Sequence, residues 1–394
     1  MSEIEFGPEL AMLAKTTQDV LRKQCDLQAV RSEMRGAEGF APALFRQLSD
    51  LGLCGVAVPE SYGGAGMGAG SLVPVAEAMG RSLYAGPWLS TTLATQLLLR
   101  LGDGALCKAF VPGLGRGELR ATVAWAEPDG SFMPTHIAAQ ASDAGGGYRL
   151  NGVKCGVLDA ASADLILVSA RLQETTGQTP PGPAKVFLIE RKQLDDSALQ
   201  RETLVDETRR SYRVMLRDVE AVPVGGVADA ALRYVVQLGA LLMAAEMSGG
   251  LQASMELTLD YLSTRTQFGK LIGGYQALKH PMVDILVAAE QGRSLLYHAA
   301  TVFDGESTQS EVAVRMAKAH CGTAFTHAAD RGIQFHGAIG FTYECHAQLF
   351  FRRAQWAEYQ FGDALHHRNQ LQRVLLDPSY RWGDGDSLTG GGPL

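Results

Sequence analysis

Apolar and polar positions change their rhythm twice along the chain. In "PELAMLAKTTQDVLRKQCD" (8–26), "APALFRQLSDLGL" (41–53) and "TTLATQLLLRLG" (91–102) apolar residues recur at three and four spacing, which predicts helices with one buried face. Between them "VAVPESYGGAGMGAG" (56–70) is a glycine-rich loop entered through Pro59; no Gly-Lys-Ser/Thr follows, so it is not a phosphate loop. From about 121 to 226 the runs shorten. "ATVAWAEP", "HIAAQAS", "GYRLNGVKCGV", "ADLILVSARL" and "AKVFLIE" are divided by Gly, Pro and Asp, and predict a small, mostly antiparallel β domain. Helical stripes then return over 227–265, 275–303, 310–331 and 343–374, and four such helices with short connections predict a bundle. The expected organisation is α+β, mostly α: an all-α segment over 1–120, a β segment over 121–226, a bundle over 227–380 and a loose tail over 381–394.

A chain of 394 residues exceeds what one ordinary core organises, in keeping with two or three. The net charge is −7 and no basic run stands out, which argues against a nucleic-acid partner. "MSEIEFGPEL" has no apolar core of a secretory signal. "YVVQLGALLMAAEMSGG" (234–250), interrupted by Gln237 and Glu246, is short for a membrane span, so none is expected. Six cysteines without a Cys-x-x-Cys spacing read as reduced thiols with no structural zinc, and a cytoplasmic location is expected.

One stretch does not fit a simple bundle. "STRTQFGKLIGGYQALKH" (263–280) interrupts two long helices with Arg265, Gln267 and Phe268 before a glycine. A helix that only turns needs the glycine and not the other three.

Four motifs, in order, carry a resemblance that covers nearly the whole chain: "VPESYGGAG" (58–66), "AWAEPDGS" (124–131), "RTQFGKLIGGYQALKH" (265–280) and "GIQFHGAIGFTYE" (332–344). Together they resemble the acyl-CoA dehydrogenase family, and within it the bacterial members acting on bulky or dicarboxylic acyl-CoAs, some of them heteromeric. The resemblance implies an N-terminal helical domain, a β-barrel-like middle domain, a C-terminal four-helix bundle and FAD as cofactor. It also implies that the 265–276 turn faces the FAD of a neighbouring subunit. Arg265 would meet the pyrophosphate, which suits a guanidinium; Phe268 would pack on the cofactor, with Gln267 and Gln276 as polar contacts. Gln334, Gly337 and Gly340 would approach the adenosine end, with Ala338 in place of a second glycine. His336 reads as a helix-end histidine satisfied by backbone.

Family members remove the α-proton of an acyl thioester while a hydride leaves the β-carbon for the flavin, and the electrons pass to an electron-transfer flavoprotein. That proton transfer needs a carboxylate of raised pKa. Here the sequence departs from the family: at the two positions where members carry their base it has Phe361 and Gly239. Glu246 is the remaining candidate, on roughly the same helical face as Gly239 and about 10 Å along. The other readings are a Glu246 paired with an arginine at a subunit interface, or a base at Asp363 or Glu358. In the β domain Glu127, Pro128 and Ser131 are kept, but Ala126 replaces a hydroxyl residue that holds the flavin ring. Gly156 and Leu158 replace a tryptophan and a threonine. Trp125 stacks on the ring from another side or belongs to the β-domain core.

The expected activity is FAD-dependent dehydrogenation of an acyl-CoA. One alternative is a subunit that completes the FAD site of a base-bearing partner, and another is a flavin oxidase or monooxygenase on the same fold. Each form implies an oligomer, whether homodimer, homotetramer or heterotetramer.

Overall fold

The computed structural model describes residues 8–129, 137–173, 183–377 and 379. Six helices come first: α1 (Pro8–Gln24), α2 (Leu27–Arg35), α3 (Pro42–Asp50), α4 (Val73–Arg81), α5 (Trp88–Leu101) and α6 (Gly104–Gly115). The start of α2 is set by Asp26, whose carboxylate accepts the amides of Gln28 and Ala29. Its end is completed from far away, because Arg210 donates to the carbonyls of Met34 at 2.9 Å and Gly36 at 3.1 Å.

Seven strands follow: β1 (Ala121–Ala124), β2 (Gln140–Asp143), β3 (Tyr148–Leu158), β4 (Leu165–Leu172), β5 (Ala184–Glu190), β6 (Leu199–Arg201) and β7 (Ser211–Val224). β4 pairs with β5 on one edge, and with β1 and β2 end to end on the other. β2 pairs β3, β3 pairs β7 and β7 pairs β5, so the sheet closes on itself as a barrel with β6 outside the ring on β7. Pairing is antiparallel except where β4 meets β1 and β2. The barrel has its own core, with Ile166, Val168, Phe187, Ile189 and Val214 fully buried. Inside it a fully buried Lys154 ammonium meets Glu127 at 2.6 Å and Ser169 Oγ at 3.1 Å. Glu127 also accepts the amides of Ala138 and Ala139, which explains its place in the "AEP" motif as a barrel anchor.

The last third holds α7 (Ala228–Thr264), α8 (Gln276–Val302), α9 (Thr308–Phe335), α10 (Ala347–Tyr359) and α11 (Ala364–Leu376). α7 is long and apolar enough to cross a membrane, but 89% of its most apolar window is buried inside the fold, so it is the core helix. It lies against α4 backbone to backbone. A Cβ at Gly80 would fall 2.0 Å from the Glu246 carbonyl oxygen, and one at Gly249 1.9 Å from that of Glu77. A Cβ at Gly250 would meet the Phe325 ring at 2.6 Å. The space these glycines leave beside α7 is therefore filled by α4 and Phe325 rather than kept for a ligand.

The expected single helix over 343–374 is two helices, α10 and α11. The break falls at Gln360–Asp363, where Phe361 (φ +57°) and Gly362 (φ +96°) leave helical geometry. Asp363 then caps α11 by accepting the His366 amide at 2.7 Å.

Candidate functional site

The break between α10 and α11 faces the barrel across a cavity of about 190 Å³, lined by Ser90, Thr122, Trp125, Ala126, Gly156, Leu158, Tyr359 and Phe361 among others. The break is held from behind by Lys318 on α9. Its buried ammonium donates to the carbonyls of Glu358 at 3.0 Å and Gly362 at 2.8 Å, and burial pushes its pKa down to about 8. Phe361 sits in the left-handed region, a cost of roughly 1–3 kcal/mol that its surroundings must hold in place. Its ring meets Trp125 edge to face at 5.8 Å. On the other side it lies where a side chain at Gly239 would be, since a Cβ there would fall 2.3 Å from Phe361 Cε1. The two places of the family's usual base are thus in contact, one filled by an aromatic ring and the other emptied to admit it. The cavity that remains is smaller than the ~300–1,000 Å³ of most cofactor pockets, and no residue named above supplies it a carboxylate.

Glu246 lies elsewhere. Its buried carboxylate pairs with Arg209, and Arg353 Nη1 stands 3.7 Å away. Arg353, on α10, also binds Asp206 at 2.5 Å, Thr208 Oγ1 at 2.5 Å and the Leu83 carbonyl at 3.2 Å. Burial works to raise the Asp206 carboxyl, but Arg353 and Thr208 outweigh it and hold it below the ordinary carboxylate range. The segment "DETRRS" (206–211), between β6 and β7, therefore enters the seam between the N-terminal helices and the bundle and cross-ties them. Nearby Asp159 accepts from Ser90 at 2.6 Å, and burial raises its pKa to about 6. The reading of Glu246 as paired with an arginine placed that partner at a subunit interface, whereas it is Arg209 of the same chain; the acidic pair followed by a basic pair in "VDETRRSYR" was the signal for the rest of the network. The other carboxylates considered are also in use: Asp363 caps α11, and Glu358 accepts the Ala364 amide at 3.0 Å.

The residues predicted to face FAD gather at the far end of the bundle. After α7, Thr266–Gln267 and Lys270–Leu271 pair as a two-residue hairpin with Phe268 (φ +53°) and Gly269 (φ +79°) at its tip. Phe268 is 91% exposed, with only Tyr275 at its edge, 6.4 Å away. Arg265 and Gln267 are exposed beside it, and Gln276 opens α8. The turn after α9 is the neighbour of this hairpin, because His336 stacks on Tyr261 at 4.4 Å while its Nδ1 bonds the Gly332 carbonyl. Gln334, Gly337 and Ala338 are exposed, and at Gly337 (φ +66°) an added Cβ would meet nothing within 4 Å. Gly340 is buried and tightly required, since a Cβ would fall 2.1 Å from the Ile333 carbonyl oxygen. Ser131 and the tail 381–394 lie outside the described residues.

The donor set at this end fits a dinucleotide: a free guanidinium and amide side chains for phosphate, a bare aromatic ring for a flat face, and unobstructed backbone at Gly337. The barrel-side cavity, by contrast, is small, and Ala126 and Leu158 bring no hydroxyl to it. From Gly239 to Tyr261 the helix rises about 33 Å, so the two ends stand well apart in one chain.

Family models for the acyl-CoA dehydrogenase N-terminal domain and C-terminal domain match residues 7–118 and 230–376. The chain is 28% identical to the acyl-CoA dehydrogenase IpdE2 of Mycolicibacterium smegmatis, over 94% of this chain and 98% of that one. Its structure is similar to that of a variant of the steroid acyl-CoA dehydrogenase Tcur3481–Tcur3483 (TM-score 0.82, 26% identity, 94% and 98% covered). It is also similar to the ChsE4–ChsE5 complex from Mycobacterium tuberculosis (TM-score 0.82, 25% identity, 95% and 99% covered).

Proposed function

Because the chain belongs to the acyl-CoA dehydrogenase family, whose cofactor is FAD, we propose that it carries out α,β-dehydrogenation of an acyl-CoA jointly with a related subunit that brings the catalytic carboxylate. The observation that carries this reading is the Phe361 ring in the space of the missing Gly239 side chain. Neither position offers a base, and the cavity beside them is small. This chain's contribution is the exposed end. Arg265 holds the pyrophosphate, Phe268 packs on the cofactor, and Gln267 and Gln276 add polar contacts. Gln334, Gly337, Ala338 and Gly340 shape the backbone that approaches the adenosine. Trp125 and Ala126 belong to the barrel side, where Trp125 now backs Phe361, and Ser131 is kept as a flavin contact by the resemblance alone. When bound, FAD supplies the acceptor for the hydride leaving the β-carbon, with an electron-transfer flavoprotein as the onward acceptor.

The heteromer is supported by the likeness to two two-component assemblies, and a bulky, steroid-like acyl group by the likeness to a steroid acyl-CoA dehydrogenase. We place this assembly in the cytoplasm.

A second reading keeps Glu246 as the base of a self-sufficient homodimer or homotetramer. Its position on roughly the Gly239 face of α7 favours it, and it requires Arg209 and Arg353 to release the carboxylate. Visible spectra of the chain purified alone and with a co-expressed related subunit separate the two. Acyl-CoA is added without air to each. The first reading expects flavin bleaching only in the mixed assembly, persisting with Glu246→Gln in this chain. Bleaching by the chain alone, abolished by Glu246→Gln, would overturn it.

A further inference from the structure

We propose that Arg31, on α2 of the N-terminal helices, is the positioning residue that fixes the exposed 337–341 turn by clamping the loop that follows it. This rests on the reading that the turn meets FAD.

Residues 337 to 346 belong to neither of the helices they join beyond one short turn. Their internal order is a ladder of successive tight turns. The Gly340 amide donates to the Gly337 carbonyl at 2.9 Å, the Thr342 amide and hydroxyl to Ile339 at 3.0 and 2.8 Å, and the Cys345 amide to Thr342 at 3.3 Å. Such a ladder keeps its shape only if both ends are tied, because each rung restrains three residues and no neighbouring strand shares the load. The upstream end is tied by His336, through the Gly332 carbonyl and the Tyr261 ring. The downstream end is tied by Arg31. Its Nε donates to His346 Nδ1 at 3.2 Å, its Nη2 donates to the Cys345 carbonyl at 3.1 Å, and its guanidinium lies 4.9 Å from the centre of the Tyr343 ring. Arg31 is itself buried, which makes these partners the reason it is tolerated there.

The arrangement is specific to arginine. One planar head serves a ring nitrogen, a carbonyl and an aromatic face at once, which an ammonium does not. It also requires His346 to keep Nδ1 free as an acceptor. Burial lowers the His346 pKa and the Arg31 charge adds to that, against Asp26, so the ring stays neutral at neutral pH. Through this one side chain the N-terminal helices set the shape of a cofactor-facing surface.

The test uses the assembled holoenzyme, stripped of flavin and titrated with FAD while flavin fluorescence is followed. Arg31→Ala is expected to weaken FAD about tenfold, the worth of roughly one charge-assisted hydrogen bond, while kcat at saturating FAD stays within about twofold. Arg31→Lys should recover only part of the affinity. His346→Ala should weaken FAD in the wild-type background and add little to Arg31→Ala, and it serves as the independent variant should Arg31→Ala fail to assemble. Unchanged FAD affinity in His346→Ala and Arg31→Ala, with Gln334→Ala still weakening FAD, would overturn the clamp and leave the FAD-facing turn intact. Unchanged affinity in all three would overturn the reading of the turn itself.

Discussion

At Gly239, in the first third of α7, a missing side chain is replaced by the Phe361 ring, which leaves a cavity of only about 190 Å³ towards the barrel. About 38 Å further along the same helix, past Thr264, the chain instead extends a hairpin whose aromatic tip is 91% exposed. The first end is closed by packing, and on the proposed reading it carries no base. The second presents an exposed aromatic, guanidinium and amide, which on the proposed reading meet FAD. On the proposed reading the contrast teaches that a subunit without a base keeps its fold and its place in an enzyme through the surface it lends to a neighbour.

The largest effect that would break this contrast belongs to the seam next to the filled end. Arg353→Met leaves Asp206 and Glu246 buried with one fewer counter-charge, and should lower unfolding free energy by about 3–5 kcal/mol in urea titration. A cost below about 1 kcal/mol would mean that water reaches the network. Next, Gly239→Ala should cost about 1–3 kcal/mol because its methyl meets Phe361, and much of that cost should vanish in a Phe361→Gly background, which also relieves the left-handed backbone. Additive costs would show that the ring does not occupy the Gly239 space.

The third prediction concerns pH. Lys318 has its folded pKa lowered to about 8, whereas an unfolded lysine titrates near 10.4. Between these values the unfolded chain binds more protons than the folded one, so stability from this group rises with pH from about 8 to about 10 and is flat below. Chemical denaturation of wild type and Lys318→Met at both pH values should show the gap moving in favour of the wild type. The smallest folding effect belongs to the exposed end: Phe268→Gly removes a left-handed phenylalanine and should change stability by less than about 1 kcal/mol, while weakening FAD in the assembly. A large loss of stability there would mean that the hairpin tip is packed after all.

Much of the architecture was legible in the sequence because the signals were local. α7, α8 and α9 were read close to their ends, since long apolar stripes bounded by Thr264, Tyr275 and Ser307 leave little choice. The 265–276 turn was legible through an arginine, a glutamine and an aromatic placed before a glycine, whereas 334–340 was singled out only by the family resemblance. What escaped was non-local. β7, fourteen residues long, was missed because its alternation is broken by the register shifts with β3 and by Pro223. The break at Phe361 was hidden because "AEYQF" continues a helical pattern, and only the Gly-Asp before "ALHH" marked a new start. Glu246 was singled out as a lone charge on an apolar helix. Its partner Arg209 is 37 residues away, in a loop no periodicity points to.

The capping of α2 by Arg210 has a consequence for synthesis. The carbonyl of Met34 waits for a guanidinium 176 residues later, which at ordinary translation speeds leaves the ribosome roughly 10–35 s afterwards. Until then the first helices are a nascent segment with an open end, exposed to chaperones and proteases. Truncation before residue 210 should therefore leave not a small folded module but a fragment that the cell clears.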